Sequence, residues 1–373
     1  MPWREASLMS LRLEFVQLAG QEGTNMRELC RRFQISPTTG YKWLQRFTEE
    51  GASALVDRSR RPRRSPKRTA EAVEQMIVKV RDEHPAWGAR KLKAVLSRQG
   101  YSDLPASSTV HAVLRRHDRL SPADSTVHRP WQRFEHAHPN ALWQMDFKGH
   151  FALLSGRCHP LTVLDDHSRY SVVLSACANE QGETVQDRLT FAFRRYGLPV
   201  RMSMDNGSPW GDTVDSPYTP LTVWLMRLGI RISHSRPYHP QTQGKDERFH
   251  RTLNWELLRD RRFVDLLEAQ RAFDRFRTMY NHERPHEALG QQPPVTRYTP
   301  SPHPFPEHLA PLDYPEGFTV RKVQDGGLLS FRNRAFRVPK AFKGYPVGLK
   351  PTAVDGTFEV YFASHRLMQI QLN

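Results

Sequence analysis

The stretch ALWQMDFKGHF at residues 141–151 reads as a strand that carries a carboxylate. Leu142, Gln144, Asp146 and Lys148 alternate with Trp143, Met145, Phe147 and Gly149, the period of two in which successive side chains point to opposite faces. Downstream, VRMSMDNGS at 200–208 places Val200, Met202 and Met204 in an apolar alternation that stops at Asp205, where Asn206 and Gly207 predict a turn. Asp205 therefore ends a strand. In HPQTQGKDERFHRTL at 239–253 a helix is predicted to run from Gly244 to Asp260, with Phe249, Leu253, Leu257 and Leu258 on one side and Glu247 in its first turns.

Two strand-borne aspartates and a helix-borne glutamate can converge in three dimensions. Carboxylate oxygens are hard ligands that suit magnesium or manganese. Two such ions about 4 Å apart activate an attacking hydroxyl and stabilise the leaving oxygen of an in-line displacement at phosphorus. Alone, an Asp-Asn-Gly sequence is an ordinary turn and a helical Glu an ordinary surface charge; their combination points to phosphodiester chemistry.

The ordered set WQMDFKG, LTVLDDHSRY, MDNGS, PYHPQTQGKDERFHRTL and YNHERPHEALG, spread over roughly residues 140–300, resembles the integrase-core transposases of bacterial insertion sequences, relatives of the retroviral integrases. The resemblance implies a ribonuclease-H-like catalytic core, a mixed sheet flanked by helices, and a DDE triad of Asp146, Asp205 and Glu247 as catalytic residues and metal ligands. It further implies two divalent ions (magnesium or manganese), double-stranded DNA at transposon ends and target as substrate, and hydrolysis followed by strand transfer. Concerted cutting of two ends implies a homo-oligomer, at least a dimer on DNA. Asp205 and Glu247 are separated by 41 residues, a longer interval than is usual in the superfamily, and the Gly-, Pro- and Ser-containing loop Ser208–Pro220 accounts for the excess. One helical step turns a side chain by about 100°, so only one of Asp246 and Glu247 is expected to face the metals; the family motif sets the ligand just before Arg248, which selects Glu247. Asp165 and Asp166 are expected to form a turn into His167-Ser168-Arg169.

The 373 residues, 38% hydrophobic and 25% charged, suffice for two or more folded domains. No apolar run approaches the length of a membrane span and MPWREASLMS lacks a secretory pattern. With the resemblance, this leads to the expectation of a bacterial cytoplasmic, nucleoid-associated protein. Cys30, Cys158 and Cys177 are too few and too scattered for a disulfide framework or a zinc site. The formal charge of +16 points to a polyanionic partner. Residues 141–314 carry 21 basic against 20 acidic side chains, whereas 1–70 carry 14 against 7 and 315–373 carry 9 against 4, so the flanks are expected to grip phosphates while the core does chemistry.

TNMRELCRRFQISPTTGYKWLQRF (24–47) reads as helix, turn, helix. Thr24 or Asn25 can cap the first, and Ser36 before Pro37 starts the second. Tyr41, Leu44 and Phe47 are expected to be its buried side, leaving Thr38, Thr39, Lys42, Gln45 and Arg46 for a DNA groove; a preceding helix Leu8–Leu18 completes a three-helix unit. RSRRPRRSPKR (58–68), with seven basic residues, reads as a flexible linker that follows DNA, Arg60, Arg61, Arg63 and Arg64 among its contacts. A second unit begins with Val73, Met76, Ile77 and Val80 on one helical face and ends in SSTVHAVLRRHD (107–118), capped by Ser107 or Ser108. His84 and Trp87 are expected to be packing residues. Lys245 and Arg248 are expected phosphate contacts near the cut, and His250 a structural residue.

The expected organisation is therefore multidomain α/β. A first helix-turn-helix domain occupies 1–56, a basic linker 57–69, a second helix-turn-helix domain 70–119 and a tether 120–139. The core with trailing helices spans 140–300, and a C-terminal small β-barrel occupies 315–373. Within the core the expected order is three strands, helix, strand, helix, strand and helices. Two rival readings share these features: a catalytically inactive, sequence-specific DNA-binding regulator of transposition, and a ribonuclease H acting on hybrids. The second leaves the DNA-reading heads without purpose.

Overall fold

The computed structural model describes residues 8–58, 68–120, 135–211, 217–234 and 244–372. Arg60, Arg61, Arg63 and Arg64 and most of the expected tether lie outside these. The chain divides into two compact units, Met1–Arg68 and Thr69–Asn373.

The first unit is a helical trio: α1 (Leu8–Ala19), α2 (Met26–Arg32) and α3 (Pro37–Glu50). Asn25, of the two candidate caps, closes α2, its side chain accepting from the backbone N–H groups of Arg27 and Glu28. Ser36 caps α3 through Thr39 N–H, with Pro37 in the first turn. The buried side of α3 differs from the expectation. Gly40 and Trp43 face the core, while Tyr41 is 58% exposed. Gly40 is the reason: a Cβ there would lie 2.6 Å from Cys30 Sγ and 2.8 Å from the Phe15 ring, so its missing side chain lets α3 press onto α1 and α2. Tyr41, one residue and about 100° further round, then points outward.

In the second unit another trio comes first: α4 (Glu71–Glu83), α5 (Ala89–Arg98) and α6 (Ser107–Arg116). Ile77, Leu92, Leu96, Val113 and Leu114 fill its core with Trp87, against which His84 stacks at 3.7 Å. The start of α6 is a correction: Ala106 occupies the cap position with no side-chain hydrogen bond, and Ser107 is already helical. Glu74, buried inside the trio, accepts from Arg116 and from His117 Nε2.

The core follows with β1 (Trp143–Phe147), β2 (Phe151–Leu153), β3 (Gly156–Asp165), β4 (Ser171–Cys177), α7 (Gly182–Tyr196), β5 (Arg201–Met204), α8 (Pro220–Arg227), β6 (Arg231–His234), α9 (Gly244–Leu253) and α10 (Leu266–His282). Four strands precede α7 rather than the expected three, because β2 is only three residues long and too short to show a period. The Gly244 helix also departs from expectation: α9 ends at Leu253 and a π-helical turn covers Asn254–Leu258. β3 pairs antiparallel with β1, β2 and β4, while β1 and β5, and β5 and β6, pair in parallel. The alternation of β3 sends Leu161 and Val163 into a core with α7 and α8, and Cys158 and Leu164 into another with α9 and α10. The result is a mixed sheet between two helical layers.

At the edge strand β4, α10 satisfies ladder groups that a further strand would otherwise take. Gln270 accepts from Ala176 N–H and donates to Leu174 O, Arg277 donates to Val172 O, and Asn281 bonds both backbone groups of Ser171. Asp165 forms the expected turn, its carboxylate accepting from Ser168 N–H and Oγ, and it also takes Asn140 N–H.

The C-terminal module contains β7 (Thr319–Lys322), β8 (Leu328–Phe331), β9 (Arg334–Arg337), β10 (Pro346–Pro351), β11 (Thr357–Phe362) and β12 (His365–Gln371). β12-β11-β10-β7 is one antiparallel sheet and β8-β9 a hairpin, and their shared core takes in Val223 and Met226 of α8. The module is thus seated on the mixed-sheet core through the outer face of α8 and the neighbouring β6. Among the described residues no helix is long and apolar enough to cross a membrane.

Candidate active site

Parallel pairing of β1 with β5 aligns Trp143 with Met202 and Gln144 with Ser203. Extended by two residues, that register sets Asp146 beside Asp205 at the same end of the sheet. Asp146 is half-buried. Burial first, then the charge of Asp205 and those of Glu180 and Glu247, push its carboxyl up to about 7. Asp205 sits in an Asx turn, Oδ1 accepting from Gly207 N–H at 3.0 Å, and its backbone carbonyl meets His234 Nδ1 at 2.7 Å. Its carboxyl is also raised, by burial first, with a contribution from Glu180.

The helix α9 crosses above β1 and β3, and here the adjacent acids part. Glu247 is exposed and its charge is felt by both Asp146 and Asp246, whereas Asp246 is 1% exposed and turned into the sheet. Thr162, the cross-strand partner of Asp146, touches three groups through one hydroxyl: Asp146 O at 3.0 Å, Asp246 Oδ1 at 3.2 Å and His250 Nε2 at 2.8 Å. Burial, then repulsion from Asp146, raises the Asp246 carboxyl well above its ordinary range. Burial, then the cation of Lys148, pushes His250 down to about 4, so the imidazole is neutral. Among the described residues Asp246 Oδ2 has no hydrogen-bond partner.

Sequence reasoning set Asp246 aside and did not single out Thr162 or Glu180. Asp246 had a signal: with Phe249, His250 and Leu253 it lies at helical spacing on the apolar side of α9, where a carboxylate is out of place unless something meets it. Glu180, just past β4, accepts from His159 Nδ1 at 2.8 Å, and its charge reaches both Asp146 and Asp205. The cluster of Asp146, Asp246 and His250, with an orphaned oxygen on the Asp246 carboxylate, fits a divalent cation.

An integrase core domain matches residues 136–240 and a second integrase core domain 228–294, while residues 318–373 match the C-terminal domain of IS481 family transposases. Residues 136–294 thus match integrase core domains, and the C-terminal module matches that of an insertion-sequence transposase family. Ahead of the core, a helix-turn-helix domain matches 11–63 and a homeodomain-like domain 39–114. The chain is 26% identical over 240 residues to an uncharacterised insertion element IS407 protein of Burkholderia multivorans, covering 61% of this chain and 81% of that one. To an insertion element IS476 protein of Xanthomonas euvesicatoria it is 29% identical over 157 residues, covering 42% of this chain and 44% of that one, so less than half of that relative is spanned. Among solved structures, the simian T-cell lymphotropic virus intasome in complex with PP2A regulatory subunit B56 gamma aligns over 80% of this chain and 100% of that one at 16% identity and TM-score 0.38. The HTLV-2 integrase catalytic core in complex with magnesium aligns over 44% and 99% at 16% identity and TM-score 0.34.

In this chain the expected DNA contacts on α3 separate into two groups by exposure. Thr38, Lys42 and Gln45 are exposed, whereas Arg46 and Thr39, the latter beside its Ser36 cap, are half-buried; Lys42 and Arg46 both lie over the Trp43 ring, at 5.4 and 5.0 Å. Lys245 bonds the Asp166 carboxylate and its backbone carbonyl, so its ammonium braces the Asp165-Asp166 turn. Arg248 is exposed on α9.

Proposed function

We propose that this chain is a transposase that binds the ends of its element through its helix-turn-helix units and catalyses phosphodiester hydrolysis and strand transfer with Asp146, Asp205 and Glu247 as catalytic, metal-holding residues. The observation that carries this reading is the parallel β1-β5 register, which sets Asp146 beside Asp205, with α9 and the charge of Glu247 over Asp146. Magnesium or manganese ions held there would supply the activation of a water or 3′-hydroxyl and the neutralisation of charge on the phosphate. The chain's own residues do the positioning. The Gly207 N–H and the Asx turn fix the Asp205 carboxylate, and the ladder with β3 fixes Asp146. Glu247 and Arg248, exposed on one helix, face solvent where a DNA strand can approach. Hydrolysis frees a 3′-hydroxyl at the element end, and that hydroxyl then attacks target DNA by the same in-line displacement. Two ends cut in concert require at least two subunits on double-stranded DNA, in the bacterial cytoplasm on the nucleoid.

The test is strand transfer with magnesium, using duplexes that carry the terminal repeats flanking the protein's own coding region. The wild type joins these ends to target DNA, and Asp205→Asn falls to the protein-free background while end binding is kept. Equal inactivity of wild type and variant with tight end binding would instead make the protein a DNA-binding regulator.

A further inference from the structure

Next to Glu247 on α9, Asp246 and His250 form a second group of potential ligands together with Asp146 of the expected triad. One oxygen of Asp146, one of Asp246 and a ring nitrogen of His250 all lie within 4.8 Å of one another. Asp246 and His250 are four residues apart on one helix, so they present to the same side, and that side is the one packed on β1 and β3.

This cluster has acceptors in excess of donors. The single Thr162 hydroxyl lies within hydrogen-bond reach of Asp146 O, Asp246 Oδ1 and His250 Nε2, and its one proton can serve only one of the two oxygens. Asp246 Oδ2, on a side chain 1% exposed, has no hydrogen-bond partner among the described residues. Among the described residues neither Asp146 nor Asp246 pairs with a lysine or arginine: Lys245, the basic neighbour in sequence, is committed to Asp166. Two carboxylates held close together without a cationic side chain call for a cation from outside. The donor type narrows which one. Magnesium strongly prefers oxygen, whereas an imidazole nitrogen beside two carboxylates suits manganese and its transition-metal neighbours.

We propose that Asp146, Asp246 and His250 form a mixed carboxylate–imidazole site that binds a divalent transition-metal ion, manganese in preference to magnesium. The site rests on the reading of Asp146 as a catalytic carboxylate and makes that residue common to two ligand groups. The two acids at the start of α9 then have separate tasks, Asp246 toward the sheet and Glu247 toward the substrate side, in place of the single metal-facing acid expected from the sequence.

Manganese bound to the full-length protein without DNA tests this directly. Pulsed electron paramagnetic resonance of the wild-type complex should show nitrogen coupling from one imidazole, and His250→Ala should abolish it. Asp246→Asn, close in shape to the native residue, should weaken manganese binding by at least ~10-fold, with magnesium competing poorly for the wild-type site. The wild-type spectrum needs no variant to fold, so it decides by itself: bound manganese without nitrogen coupling, or no manganese bound, overturns the site. Strand transfer by the same preparation separates the two readings. Activity abolished by Asp205→Asn, together with a nitrogen-free spectrum, removes this site and leaves the catalytic triad standing. Nitrogen coupling in a protein without strand transfer removes the transposition chemistry and leaves the metal site.

Discussion

The two helical trios have the same element pattern and differ in what they are built into. The first belongs to a compact unit of its own, closed by Phe15, Leu29, Trp43 and Leu55 and by the glycine contact at Gly40. The second belongs to the same unit as the mixed sheet and is riveted to the segments around α10. Trp87 Nε1 reaches Glu256 at 3.4 Å, and Glu256 is paired with Arg284, both nearly buried, at 2.8 Å. Arg98 donates to the carbonyls of Glu283 and Gln291, and Arg90 pairs with Glu287. The YNHERPHEALG motif is therefore the seat of the second trio, and the orientation of that trio relative to the sheet is set by the fold. Equivalent helical patterns in a sequence can thus encode an independent head or a fixed part of the catalytic body.

The largest effect expected on that contrast comes from Arg284→Ala. It leaves Glu256 in a buried position without its ion-pair partner, a loss of about 3–5 kcal/mol. Calorimetry should show the transition of the Thr69–Asn373 unit moving down while that of the first unit stays in place; a shift of both together would contradict the division. Gly40→Val is the converse probe. Its side chain meets Cys30 Sγ and Phe15, so about 1–3 kcal/mol should be lost from the first unit alone, read as a lower denaturant midpoint for the Trp43 signal with the second transition unmoved. Ser36→Ala removes the α3 cap and should cost the first unit about 1 kcal/mol; an unchanged melting curve would mean that α3 is held by packing without help from its cap. Arg90→Ala breaks an exposed pair and should change stability by less than about 1 kcal/mol, an effect that vanishes at high salt. A large loss there would shift the seat of the second trio from its buried pair to its rim.

Local chemistry made much of this legible in the sequence. Asn25 and Ser36 act as caps because a short polar side chain before a helix satisfies free N–H groups whatever surrounds it. The strand around Asp146 shows its period because one face is buried against α7 and α8. Where the outcome depended on a distant partner, sequence reading went astray or was silent. Trp43 displaced Tyr41 from the core because Gly40 meets Phe15, 25 residues earlier in the chain. Ser107 lost its expected capping role when the helix began one residue sooner, after Ala106. β2 exists because β3 offers it a ladder, a pairing that three residues cannot announce on their own.

By itself the sequence determined the integrase-core resemblance, the helix-turn-helix and mixed-sheet elements and the residues that stand as acidic candidates, since these follow from motif, period and capping. Only the tertiary structure decided that Asp246 turns into the sheet against Thr162 and His250, that Lys245 serves Asp166, and that the second trio rests on Glu256 and Arg284. The physical reason is common to all three. A helix or strand fixes which side chains share a face, but which face is buried, and which charge it meets there, depends on groups brought close by packing from far along the chain.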